Sequence, residues 1–492
     1  MKNASFLFFL KSTIFVVCFM CSTLAGHGAS QRATLGGERK EIHILSTNDM
    51  HASIDAFPQL TAIVDSLRAI DPSLLVLSAG DNRTGNPMND MYQIPAYPMV
   101  ALMNFIGFNA SALGNHEFDS KQHGLARLIG LSNFPYLCAN IHPAEKFAIH
   151  TQPYQVYFVN GVRIAVLGVV QLGTHGIPDS HPNNVADIDF TPVSETIKNY
   201  EWLRKENDVM ILLSHLGFET DVEMSASFPW IDLIVGGHSH TQLKGGEIHH
   251  GVLITQNGKG LKKVTYTTLL VEDGKVVEKK SENIDVANFP HKNAVVEAMV
   301  KNFNQNDTFM RTLAQVQTPF ECVEELGCLM CDAIREQTQA DIAFTNAGGV
   351  RYDTHATGAF TLNDVLRLDP FGNSLVEMKL TGKEVEDMLV SCFDNDEKLF
   401  PYVSGILCEI DYEKGNADKV KNLRIFTPDG KKLNRKKTYT LVTNSYAAAI
   451  CDAPRKVQGH DLGIIASDAL ISYLEKQGTV SYQGVKRLKE NK

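Results

Sequence analysis

Past its first thirty residues this chain has no apolar run long enough to span a bilayer. It is also short of positive charge, with 46 lysines and arginines against 56 aspartates and glutamates and a net charge of −10. That balance excludes binding to a nucleic-acid polymer or an anionic membrane driven by overall charge, so an anionic ligand needs locally placed cations. Cysteine does not come in an even set. After the first thirty residues the thiols are Cys138, Cys322, Cys328, Cys331, Cys392, Cys408 and Cys451, so at least one is free or pairs with another chain. The C-x-x-C inside "CVEELGCLMC" (Cys322 to Cys331) lacks a second pair or a neighbouring His pair. It reads as small apolar residues on a helix face rather than a zinc knuckle. Internal repeats and low-complexity tracts are missing too.

What is present begins with a leader. Lys2 and Lys11 flank or interrupt a run of Phe, Leu, Ile, Val and Cys that closes in "STLAGHGAS". Residues 1–29 therefore read as a signal peptide, cut near Ala29, and the mature chain is expected to be secreted or periplasmic. The alternative is an uncleaved N-terminal anchor. At 492 residues, the chain is long enough for two domains.

From residue 41 to 282, short apolar runs ("IHILST", "LLVLSAGD", "ASALGN", "RIAVLGVV", "VMILLSH", "IDLIVGGH") alternate with helix-period stretches such as "FPQLTAIVDSLRAI". A hairpin about Asp273-Gly274 makes the strands mixed rather than all parallel. Residues 283–315 are polar and helix-prone, which suits a connecting or hinge segment. A second, smaller α+β unit occupies 316–492, with "DIAFTNAGG", "NSLVEMKL" and "YTLVTNSY" as strands and "LGIIASDALISYLEKQG" as a closing helical stretch.

Five of the first unit's apolar runs end in chemistry. Asp49 and His51 follow the first, Asp81 the second, Asn115, His116, Glu117 and Asp119 the third; His215 ends another, and His238 and His240 follow the last. Each cluster alone is an ordinary turn or a satisfied polar residue. Together, at the carboxyl ends of α/β strands where ligands gather, they give two sets of N/O donors sharing Asp81, the composition a pair of divalent ions requires.

These residues carry a resemblance. Asp49-x-His51, Gly80-Asp81, Gly114-Asn115-His116-Glu117, His215 and Gly237-His238-Ser239-His240 resemble the calcineurin-like metallophosphoesterase pattern, and "GNHEFD" with the second unit resembles its secreted 5'-nucleotidase family. The resemblance implies a layered α/β/β/α β-sandwich with a smaller α+β substrate-binding domain, the two rotating to deliver substrate. It implies one ion on Asp49, His51 and His240 with Asp81 bridging, and the other on Asn115, His215 and His238. His116 and Asp119 are then left as a catalytic dyad outside the ligand set. Zinc or manganese suits the mixed His, Asp and Asn donors; magnesium, cobalt and calcium are the alternatives.

In the second unit, "NAGGVR" (Asn346 to Arg351) matches the family's Asn-x-Gly-Gly-x-Arg, with Gly348 and Gly349 admitting an anion to the backbone and Arg351 as the fixed charge. "DPFGN" makes Phe371 one wall of a base clamp, Tyr446 is the other, and Asp452 falls where an acidic residue contacts ribose. The chain departs from the family after Tyr446, where "AAAICDAP" replaces a glycine-rich Asn-Gly-Gly-Asp-Gly, and in "FECVEELGCLMCDA", which lacks an expected arginine. The expected reaction is hydrolysis of 5'-nucleotides or another small phosphoester. Cyclic-nucleotide, nucleotide-sugar, dinucleotide or sulfur-ester hydrolysis is the enzymatic alternative, and a non-catalytic nucleotide-binding surface protein the other. Oligomeric state, preferred base and disulfide pairing are not encoded in any motif.

Overall fold

A computed structural model of the chain describes residues 39–395, 399–413, 416–451 and 459–491. Asp452, expected at the ribose, lies outside the described residues.

Two six-stranded sheets are built from residues 40–285. In the first, the strand Lys40–Thr47 pairs in parallel with Leu75–Ser78, which continues in parallel to Ala110–Ala112 and Tyr136–Leu137. Its other edge is the antiparallel hairpin of Lys263–Glu272 and Lys275–Asp285. The turn has Asp273 at φ 52° and Gly274 at φ 71°, the two left-handed residues a tight hairpin turn demands. In the second sheet, Val162–Val170, Val209–His215, Leu233–Val235 and Val252–Thr255 run in parallel, with Tyr154–Val159 and Glu247–His249 antiparallel at the edges.

The near-continuous apolar character of these strands follows from burial on both faces. Ile42, Ile44, Leu75, Leu77 and Ala110 of one sheet meet Ile164, Val166, Ile211, Leu213 and Leu233 of the other in one cluster between the sheets. Leu45 and Val76 point the opposite way, into a cluster with the helices Phe57–Arg68, Tyr97–Ile106 and Lys121–Leu131. On the far side Leu167, Leu212 and Ile234 pack with residues of Phe218–Ser227. Helices, sheet, sheet and helices make the α/β/β/α sandwich.

Residues 312–491 form three smaller sheets. The central one orders its strands as Pro401–Ser404, Ile342–Asn346, Thr438–Asn444, Ser374–Thr381 and His460–Ile465. The stretch "LGII" read as helix is thus a strand, paired antiparallel to Ser374–Thr381, and the helix begins at Ala466. Cys328 and Cys331 are buried on the helix Val323–Thr338, where they pack as core residues. The helix Ala294–Phe303 is capped by the Asn293 side chain on the N–H groups of Val295 and Val296. Among the described residues, no helix is long and apolar enough to cross a membrane.

Candidate metal centre and substrate cleft

The parallel strands bring their carboxyl ends to one rim. The loops after Lys40–Thr47, Leu75–Ser78, Ala110–Ala112 and Leu233–Val235, with His215 at the end of its own strand, deliver Asp49, His51, Asp81, Asn115, His238 and His240. Close backbone approach is needed for that. A Cβ on Gly114 would lie 2.2 Å from Asp81 Oδ1, and one on Gly80, itself at φ 91°, 2.6 Å from Gly114 N. Five donor residues also take left-handed backbone: Asp49 (φ 46°), His51 (44°), Asp81 (50°), His238 (78°) and His240 (56°). Non-glycine residues rarely adopt that region, and clustered strain of this kind marks sites whose geometry is over-determined by their surroundings.

The donor atoms converge. His51 Nε2 lies 2.9 Å from His240 Nε2, and His240 Nε2 lies 3.6 Å from Asp49 Oδ1. His215 Nε2 is 3.2 Å from both Asp81 Oδ2 and Asn115 Oδ1, and His238 Nδ1 is 3.0 Å from Asn115 Oδ1. Three overlapping groups have mutually close donors: Asp49, His51 and His240; Asp49, Asp81 and His215; and His51, Asp81 and His116. Outer partners aim them. His215 Nδ1 meets the carbonyl of Ala79 at 2.7 Å and His51 Nδ1 that of Thr84 at 3.0 Å, which leaves each Nε2 lone pair facing the centre. Asp49 accepts from the Asn48 side chain and the His238 backbone N–H.

The electrostatics are those of crowded ligands. Burial lifts Asp49 to about 6, with Asp81 adding to the rise against His215. Burial and the Arg351 guanidinium push His240 down to about 2 and His51 well below its ordinary value. Against burial, the Asp81 carboxylate raises His215 to about 9, while His215 and His116 hold Asp81 well below the usual carboxylate range. Two buried carboxylates with a single cationic imidazole, His215, between them and His51 and His240 held neutral beside them are costly unless cations fill the remaining space. The donor set fits a divalent pair.

His116 stands beside this centre. Its Nδ1 is 2.8 Å from Asp119 Oδ2, and its Nε2 is 3.9 Å from Asp81 Oδ2. Glu117, for which the sequence offers no role, is fully buried and holds the two central loops together. Its Oε2 accepts from Gly114 N at 2.6 Å and Asp81 N at 2.9 Å, and its Oε1 from Asn82 N at 2.9 Å. Asp179 is another residue that sequence reasoning misses. Its carboxylate is 3.5 Å from His238 Nε2, and its carbonyl accepts from Asn115 Nδ2 at 3.1 Å. Nothing in the run "GIPDSHP" distinguishes this aspartate from a turn residue.

A cleft of about 1300 Å³ opens from the centre to residues of the second unit, with Asn346, Gly348, Gly349, Arg351, Phe371 and Tyr446 in its wall. Asn346 is buried and accepts from Asn444 Nδ2 at 2.9 Å. Arg351 Nη2 lies 3.2 and 3.3 Å from the two ring nitrogens of His51, which joins the second unit to the centre. The Phe371 ring stacks on His116 with centroids 5.7 Å apart, and the Arg351 guanidinium sits 5.5 Å over the same ring.

Known proteins share this plan. The sequence model of the family described as "Calcineurin-like phosphoesterase" matches residues 42–242, and that of "5'-nucleotidase, C-terminal domain" matches 302–458. The protein UshA of Yersinia enterocolitica is 30% identical, the alignment covering 89% of this chain and 91% of that protein. A 5'-nucleotidase of Vibrio cholerae is 29% identical over the same shares. The crystal structure of a 5'-nucleotidase precursor from Thermus thermophilus superposes with a TM-score of 0.81 at 24% identity, covering 92% of this chain and 99% of the other.

Proposed function

This chain belongs to the 5'-nucleotidase family of calcineurin-like metallophosphoesterases and is a phosphoric ester hydrolase; from that premise we propose that it releases phosphate from 5'-nucleotides in the cleft described above. One observation carries the reading. Seven N and O donor residues from five strand ends lie together, five of them in mutually close groups and Asn115 and His238 within 3.2 Å of their neighbours, beside a His–Asp pair, and a cationic, aromatic wall faces them across one cleft.

In this reading Asp49, His51 and His240 hold one ion and Asn115, His215 and His238 the other, with Asp81 shared. Divalent ions in such a site acidify water for attack at neutral pH and polarise phosphoryl oxygens. Zinc or manganese is the proposed pair, from the mix of imidazole, carboxylate and amide. His116 donates its Nδ1–H to Asp119 and, as the imidazolium that this carboxylate supports, presents Nε2–H to the phosphoryl group, where it stabilises the charge that develops on an equatorial or leaving oxygen. Arg351 neutralises the phosphate from the opposite side, and its planar fork suits that geometry better than a lysine. The backbone at Gly348 and Gly349, with Asn346, lines the anion's approach. Phe371 and Tyr446 stack the base without reading its identity. Residues 1–29 are proposed to be a cleaved leader that sends the enzyme out of the cytoplasm.

The test is a panel of esters offered to metal-replete protein. Phosphate released from 5'-AMP, with no cleavage of 2',3'-cyclic AMP or UDP-glucose, meets the reading. Preferential cleavage of either of the latter replaces it with another esterase activity. Nucleotide retained without turnover under zinc, manganese and magnesium identifies a binding protein instead. His116→Ala should keep its metal and lose about 100- to 1000-fold in turnover.

A further inference from the structure

We propose that Thr84 is a positioning residue that fixes the His116–Asp119 pair through Asp119; this rests on the assignment of that pair given above. Thr84 lies three residues past Asp81 and is 2% exposed. Its hydroxyl donates to Asp119 Oδ2 at 2.7 Å, the same oxygen that receives His116 Nδ1 at 2.8 Å. Its carbonyl accepts from His51 Nδ1 at 3.0 Å. One residue therefore touches the metal side and the dyad side of the centre, by two different atoms.

The backbone at this point is held in an uncommon state. Thr84 has φ 69°, a region in which a β-branched residue is a genuine outlier. Asp90 imposes it. Its carboxylate accepts from the N–H groups of Thr84 at 3.0 Å, Gly85 at 2.8 Å and Asn86 at 2.9 Å, with Asn89 Nδ2 at 2.9 Å as a fourth donor. The following Gly85, at φ 145°, packs so closely that a Cβ there would sit 2.9 Å from the His51 carbonyl oxygen. Next door, Arg83 Nη1 is hydrogen-bonded to Ser120 Oγ, so the residue after Asp119 is tied to the same loop.

Asp119 belongs to a single six-residue 3-10 turn, Asn115–Ser120, and its side chain is partly open to solvent. A carboxylate in that position has room to swing away from the imidazole. Two donors converging on one oxygen remove that freedom, and the ring plane of His116 follows. The hydroxyl acts on the reaction only through Asp119; the carbonyl acts on His51 whatever the side chain is. These separate roles can be tested apart.

The experiment is a double-mutant cycle on the full-length holoenzyme with 5'-AMP and p-nitrophenyl phosphate as probes. Thr84→Val keeps the β-branch and the carbonyl and removes only the donor. It should lower kcat about tenfold, about 1.4 kcal/mol, with KM within about twofold of wild type and metal content unchanged. Thr84→Ser should restore kcat to within about twofold. In an Asp119→Ala background, Thr84→Val should change kcat by less than about twofold, because the group it acts through is gone. The proposal is overturned if Thr84→Val costs the same factor with and without Asp119, if serine fails to rescue, or if the loss tracks lost metal. If Asp119→Ala and His116→Ala themselves keep wild-type kcat, the dyad assignment falls instead, and that outcome is distinct. Should the valine variant not fold, Thr84→Ala against Thr84→Ser carries the same comparison.

Discussion

Glu117→Gln turns one carboxylate oxygen into an amide nitrogen and leaves the side-chain volume unaltered. The wild-type carboxylate is buried and receives three backbone N–H groups, two on Oε2 from Asp81 and Gly114 and one on Oε1 from Asn82. With the amide oxygen in the Oε2 place, the new NH₂ confronts the Asn82 N–H, donor against donor. One charge-assisted hydrogen bond is lost, and the Asn82 N–H and the new amide NH₂ are both left without an acceptor, together about 2–4 kcal/mol of stability in metal-free protein. The damage is not spread evenly. Asp81 sits at φ 50° and its Oδ1 accepts from His116 N at 2.8 Å, so loosening this clamp moves the carboxylate proposed to be shared by the two ions. Disturbing an outer partner of this kind costs roughly 10- to 100-fold in metal affinity. Urea unfolding of chelator-treated protein reads the first effect, provided the m-value is unchanged. Metal titration reads the second. At saturating metal, kcat should return to within a few-fold of wild type, because no group at the reacting phosphorus has been removed. A variant within about 0.5 kcal/mol of wild type, with unaltered metal affinity, would refute the clamp.

Chelation should lower the melting temperature, since any ion bound only to the folded state stabilises it by about 2.7 kcal/mol at a hundredfold excess over Kd; an unchanged melting temperature after verified stripping refutes the donor assignment. Arg351→Ala should raise KM for 5'-AMP about tenfold or more with kcat changed less, as the guanidinium over Phe371 faces the centre and lines the cleft; an unchanged KM removes it from substrate binding. Asp369, in the Phe371 loop, is raised from 3.8 to about 7 by burial, with the Phe371 backbone N–H opposing the rise. The folded state therefore holds a proton there that the unfolded chain has lost, and this group's contribution makes stability fall as pH rises from about 4 to 7, by up to about 4 kcal/mol. Asp369→Asn should flatten that part of the stability profile, and an identical slope in the variant excludes Asp369 as its source.

The strand-end donors were legible because two local signals coincide there. A short apolar run marks a buried strand, and the polar residues that end it lie at the rim where α/β folds place their ligands. The same logic located the Asp273-Gly274 hairpin, whose two left-handed residues are types that adopt that backbone readily. It failed at "LGII". There a short apolar stretch abuts a helical one, and only pairing with Ser374–Thr381 decides that it is a strand.

What stayed hidden is of another kind. The distant partners of Glu117 lie 35 and 36 positions away at Asn82 and Asp81, and the distant partner of Asp119 is Thr84, also 35 positions away. Residue type says what a side chain can bond to, not which loop will be brought within reach of it. Left-handed backbone at Asp49, His51, Asp81, His238 and His240 is nearly as hidden, since Asp and His enter that region more often than other non-glycine residues but still in only a small minority of their occurrences. These two hidden features explain each other. Strained loops persist only when many contacts over-determine them, and carboxylates such as the buried Glu117 and the partly buried Asp90, each closing several backbone N–H groups at once, supply those contacts. The strand-end donors announce the site, while the acids outside that set brace its shape. A substitution at Glu117 or Asp90 should therefore resemble loss of a ligand in its effect on metal affinity, although neither residue is placed among the donors.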